Sequence, residues 1–77
     1  MSFRDEALAQ RVRHAIYQDG RLGSQSIMVR VASGEISLKG VVDSPEQREL
    51  AKLVAQGIPG VRQVFVDELV VKEDNKA

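Results

Sequence analysis

Seventy-seven residues, 43% of them hydrophobic and 29% charged, allow one domain around one core and lie well away from the composition of disordered chains. Eleven Lys and Arg offset eleven Asp and Glu, so long-range steering toward a polyanion is weak and nucleic acid is not an expected partner. The lack of cysteine excludes disulfides, thiolate metal sites and thiol catalysis together.

In chain order, the first predicted element is a helix from Arg4 to Asp19, with Leu8, Val12, Ala15, Ile16 and Ala9 along one side at helical spacing. Ser2 followed by Asp5 is suited to cap its start, and Gly20 is placed for a left-handed stop, after which Leu22 folds back onto the core. Phe3 either staples the helix start or stands in an interface. Ile27, Val29 and Val31 alternate with Met28, Arg30 and Ala32, the pattern of a strand with one buried face. Ser33-Gly34 supplies a tight hairpin turn, and Ile36 and Leu38 carry the apolar phase of the return strand. Only a register that puts Val29, Val31, Ile36 and Leu38 on one face hides all four. Gly40 marks a bend or a close backbone approach.

Asp43-Ser44-Pro45-Glu46-Gln47 predicts a second helix, with Ser44 as N-cap, Pro45 as first helical residue and Gln47 completing the capping box. Leu50, Ala51 and Val54 share its apolar face, and Gly57-Ile58-Pro59-Gly60 ends it. A third strand spans about Gln63 to Lys72, where Val64 and Val66 keep one phase and Leu69 and Val71 the other. A β-bulge near Asp67-Glu68 would unite both pairs on one face; the alternative is a strand covered on both sides. The order helix, strand, strand, helix, strand therefore predicts an α+β fold, with two helices on one face of a three-stranded mixed sheet and a right-handed crossover into the last strand. One domain covers residues 1–77, with a folded core over 3–72 and a flexible charged tail at 73–77.

These residues resemble the BON family. The likeness runs through Leu8, Val12 and Ile16, then Asp19 and Leu22, then Ile27, Val29 and Val31. Its most recognisable stretch is Gly34, Ile36, Leu38, Gly40, Val42 and Ser44, followed by Ala51, Ala55, Gly60, Val61 and Val64. Val66 departs from it by standing where the family has a small polar residue, which shifts Asp67, Leu69 and Val71 one place late and agrees with a one-residue insertion. BON domains occur in bacterial periplasmic stress proteins, outer-membrane pores and mechanosensitive channels. The resemblance implies a non-enzymatic module that associates with anionic phospholipid head groups or an envelope protein. A cytoplasmic relative binds potassium, which makes monovalent-cation sensing a further alternative.

No catalytic constellation is legible. His14 is the one histidine and lies off the apolar stripe, too isolated to make a zinc site or an oriented general base. No cofactor and no metal are therefore expected. The candidate head-group contacts are Arg4, Arg11 and Arg21. The candidate interface residues are Arg13, Tyr17, Met28, Arg30 and Phe65, on the outer side of the first helix, the open sheet face and the third strand. An assembly role through the open sheet face or the third strand's edge is the alternative function. Gly34, Gly40 and Gly60 are structural turn positions. No secretory signal or membrane-spanning run is visible, so the expected location is cytoplasmic if Met1 is the native start, and periplasmic or envelope-associated if the chain is part of a longer protein.

Overall fold

The computed structural model describes residues 3–23 and 26–72. Its elements follow the predicted order: α1 (Phe3–Gln18), β1 (Ser26–Ala32), β2 (Glu35–Val42), α2 (Pro45–Gln56) and β3 (Gln63–Val71). The sheet order is β1-β2-β3, with β1 antiparallel and β3 parallel to the central β2. Both helices lie over one face. The architecture is the α+β arrangement expected. The proposed Ser2 cap and the 73–77 tail fall outside the described residues.

Ser33 and Gly34 both take positive φ, 52° and 83°, as a two-residue hairpin turn of the primed type requires. That turn sets Val29 opposite Leu38 and Val31 opposite Ile36, so all four share the helix-facing side. At Gly40, with φ 140°, an added Cβ would sit 1.9 Å from the Ser26 carbonyl oxygen. The close approach read from the sequence is thus a backbone contact with the start of β1.

Ser44 caps α2 by accepting the Gln47 N–H on its Oγ at 3.2 Å, with Pro45 in the first turn. The Gln47 side chain reaches back to the Asp43 N–H at 2.8 Å, one residue before the cap, so the box is wider than the reciprocal form expected. Its Nε2 also donates to the Arg21 carbonyl at 3.2 Å, tying α2 to the loop after α1. The buried stripe of α2 centres on Ala51 and Ala55, with Leu50 and Val54 half-buried at its margin. Two small residues at the contact let the helix lie close on the sheet.

Gly20 does not supply a left-handed stop. The Asp19 N–H still bonds back to the Ala15 and Ile16 carbonyls, and the Asp19 carbonyl accepts from Leu22 and Gly23. This turn carries Leu22 into full burial. Phe3 is 91% exposed and staples nothing.

Eleven side chains are buried among the described residues, all of them apolar. On β3 these are Val64 and Leu69, five apart and of opposite phase in a regular strand. The ladder reconciles them. Ser37 pairs with Phe65 and Lys39 with Glu68, so Val66 and Asp67 together oppose Leu38. The bulge falls one residue earlier than the sequence placed it, and Val66 and Val71 pack against the core on the same side as Val64 and Leu69.

Deleting Asp67 would leave Val64, Val66, Leu69 and Val71 in unbroken alternation, with no bulge needed. We expect that variant to keep its fold with a thermal midpoint within about 5 °C of the parent. Deleting Val66 instead would turn Asp67 into the core, and a loss of cooperative melting is expected. Circular dichroism melts of the two deletions check this.

Candidate functional site

Parallel pairing of β2 and β3 brings the α2–β3 loop beside the β1–β2 turn. The Arg62 N–H donates to the Gly34 carbonyl at 2.8 Å, and its Nη1 reaches the Ser33 carbonyl at 3.4 Å. The N-terminal half of α1 joins the same corner, where the Ser33 N–H donates to Asp5 Oδ2 at 3.2 Å. Three segments far apart in sequence thus enclose one open cleft, lined by Arg4, Asp5, Leu8, Arg11, Gly34, Gly60 and Arg62 among others.

Gly34 and Gly60 shape it. A Cβ at Gly34 would lie 2.8 Å from Arg62 Cδ, so the glycine lets the arginine stem cross the turn. Gly60, with φ 101°, turns the chain past Leu8 into β3. Arg4 and Arg11 are seven residues apart on one flank of α1, a rise of roughly 10 Å. The cleft therefore presents three guanidinium groups against the single Asp5 carboxylate. Guanidinium groups stay protonated at any physiological pH and fork onto carboxylate or phosphate oxygens. The lining is suited to holding an anion rather than moving a proton.

Arg21, placed by the sequence with Arg4 and Arg11, lies beyond the opposite end of α1. Its Nη2 and Nε meet Asp19 Oδ2 and Oδ1, each at 3.1 Å, and its N–H donates to Asp19 Oδ1 at 2.9 Å. Hydrogen bonds from the Arg21 side chain, then from its backbone, hold the Asp19 carboxyl below its ordinary value of 3.8, and the same pairing raises the Arg21 guanidinium. Arg62 was not singled out from the sequence. Its place depends on the hairpin turn 28 residues upstream, and no local pattern signals it.

The remaining candidates separate onto other surfaces. Arg13, His14 and Tyr17 stand exposed on the outer side of α1, with Tyr17 at 74%. The sheet face away from the helices carries Met28, Arg30, Glu35, Ser37, Lys39 and Phe65, together with Val41, Glu68 and Val70. Four large apolar side chains are exposed there: Met28, Val41, Phe65 and Val70. Among the described residues no cluster of three metal-ligating side chains is found, and no helix is long and apolar enough to cross a membrane.

The sequence pattern of the BON domain matches residues 4–73, nearly the full chain. This chain belongs to the BON family. A relative from Anaplasma centrale, described as an uncharacterized protein in the gshII 5′ region, is 37% identical over 70 residues. That match takes in 91% of this chain and 44% of the relative. Among solved structures, the C-terminal domain of CdsD, described as the structural protein of the Type III secretion system of Chlamydia trachomatis, superposes with a TM-score of 0.72 at 18% identity. It covers 90% of this chain and 34% of that one, a likeness of fold. The BON chain thus spans less than half the length of either protein.

Since the folded-state pKa of Asp19 is lowered, its contribution to stability is present above 3.8 and is lost as pH falls through the lower folded value. Asp19→Asn should accordingly melt slightly below the parent at neutral pH, and the gap should narrow as pH falls below 3.8. Melting curves of both proteins across that range measure it.

Proposed function

We propose that this BON domain is a non-enzymatic binding module whose Arg4–Arg11–Arg62 cleft receives the anionic head group of a phospholipid at the cell envelope. The observation that carries the reading is the convergence of three arginines from two helix turns and a loop on one open cleft. Each basic residue near an anionic bilayer contributes about 1 kcal/mol, so the attraction is modest, additive and salt-sensitive. The zero formal net charge makes local placement of charge, rather than overall charge, the source of attraction. Family membership supports the reading, since BON domains are considered phospholipid-associating modules.

A second reading rests on the open sheet face, where Met28, Val41 and Val70 are each about half exposed and Phe65 is 37% exposed. Such a patch, with Arg30, Lys39, Glu35 and Glu68 interspersed, has the mixed character of a protein-contact surface. The description of CdsD as a structural protein of a secretion system is in keeping with a partner in the envelope.

Co-sedimentation with phosphatidylglycerol and phosphatidylcholine vesicles, at low and physiological salt, separates the two. The head-group reading expects binding to the anionic vesicles that fades with salt. Arg11→Gln/Arg62→Gln should weaken that binding about tenfold to thirtyfold, while Arg21→Gln leaves it nearly unchanged. No binding at low salt, or equal loss from Arg21→Gln, would sink it and favour the sheet face.

A further inference from the structure

The two edges of the sheet differ. At β3 the extra residue at Val66–Asp67 interrupts the ladder, and Asp67 and Glu68 are exposed, features that discourage a further strand. The third strand's edge, a sequence-based candidate for assembly, is therefore the poorer one. At β1 the pairing with β2 runs unbroken from Ser26 to Ala32, without bulge or proline. Its core-facing residues are under-covered: Ile27, Val29 and Val31 are all half-buried, whereas Ile36, Leu38 and Val42 on β2 are buried. An open groove runs along this edge between α1 and β1, lined by Asp5, Glu6, Ala9 and Arg13 from the helix and by Val29, Arg30 and Val31 from the strand.

We propose that this edge receives a second copy of the same chain, β1 against β1 in antiparallel pairing, which joins the two sheets into one of six strands. The strand is matched to itself. With Val29 on the two-fold axis, Ile27 meets Val31 of the second copy, Met28 meets Arg30, and Ser26 meets Ala32. The three half-buried aliphatics of each copy then continue one apolar layer, and Met28 lies along the aliphatic stem of Arg30 on the outer face.

The helices carry the matching charges. Glu6, Ala9 and Arg13 follow one another at three- and four-residue spacing, so they form one stripe along the groove. Glu6 and Arg13 are exposed at its two ends, and neither forms an ion pair among the described residues. A two-fold axis across the groove reverses the second helix. The acidic end of one stripe then faces the basic end of the other, twice, with the small Ala9 between them permitting close approach. The shared area is one strand and one helix flank, well short of a standard interface, so the association depends on concentration.

Sedimentation equilibrium from about 1 µM to about 1 mM protein, at low salt, tests this. The expected result for the wild type is a mass that climbs from monomer to dimer, with amide exchange slowing at Ile27, Val29 and Val31, whose N–H groups point away from β2 in this register, as the dimer fills. Arg13→Glu alone and Glu6→Arg alone should each weaken self-association by at least about tenfold, since each puts like charges together twice. Mixed in equal amounts, these two variants should recover a heterodimer of at least wild-type strength, because one presents two acids and the other two bases. Both positions are exposed, and circular dichroism of each variant verifies the fold. A wild type that stays monomeric at the highest concentration overturns the proposal. So do charge-reversed variants that dimerise like the parent, which would point to the open sheet face, and a mixture that stays dissociated.

Discussion

Everything in this fold is arranged around β2, the one strand among the described residues that is hydrogen-bonded on both sides. Its two neighbours run in opposite directions, and that difference dictates the connections. An antiparallel neighbour can be reached by the two-residue Ser33-Gly34 turn, whereas a parallel one needs a crossover, which α2 supplies. The consequence is geometric. The start of β2 and the start of β3 lie side by side, so the hairpin turn and the α2–β3 loop must meet, and Arg62 bonds to Gly34 across that junction. The cleft is a by-product of strand direction before it is a candidate site. At the other end of β2, Gly40 keeps the antiparallel side closed by making room for the Ser26 carbonyl. A side chain there would pry β1 away and loosen the edge on which the proposed pairing depends.

A chain of 77 residues limits what kinds of site can exist. Small domains bury a modest part of their surface, and the eleven side chains buried among the described residues close the space between two helices and three strands. A deep pocket would have to be carved from that layer. The surfaces left for recognition are seams and edges: the corner where three segments meet, the open sheet face and the strand border. Guanidinium groups suit such places, since the long aliphatic stem lies on the surface while the charged end stays hydrated.

The pattern-bearing parts of the fold were legible because they are local. Two-residue alternation placed the hairpin register, the Ser44-Pro45 pair placed the start of α2, and the phase change between Val66 and Leu69 revealed the bulge to within one residue. The misplacements have local causes too. On α2, the expected face of Leu50, Ala51 and Val54 leaned toward the bulky residues, yet close packing centres on the small ones, Ala51 and Ala55. Gly20 reads as a helix stop in the sequence, but the Asp19 carbonyl, accepting from Leu22 and Gly23, turns the chain. Arg21 was grouped with Arg4 and Arg11 by charge, although Asp19, two residues before it, is its partner. Arg62 carries no local signal for the opposite reason, since its neighbours are supplied by tertiary contacts with Ser33 and Gly34. Patterns within a helix or strand fix faces; they do not say which faces meet.

Helix α1 links the proposed surfaces. At 100° per residue, Arg4 and Arg11 fall on the flank toward the cleft, and Glu6, Ala9 and Arg13 on the flank toward the β1 groove. The apolar stripe of Leu8, Val12 and Ile16 between them holds the helix on the sheet. Occupation of one flank therefore leaves the other open. A two-fold axis through Val29 would also keep both copies' helices on the same side of the joined sheet, with their arginine clefts at opposite ends. Such a pair could touch one flat anionic surface at two points, and the second contact would form at the high effective concentration set by the first. Weak single contacts of a kcal/mol or so per arginine would then add across the pair. Self-association and surface binding would reinforce each other through one rigid helix, without any change in the fold.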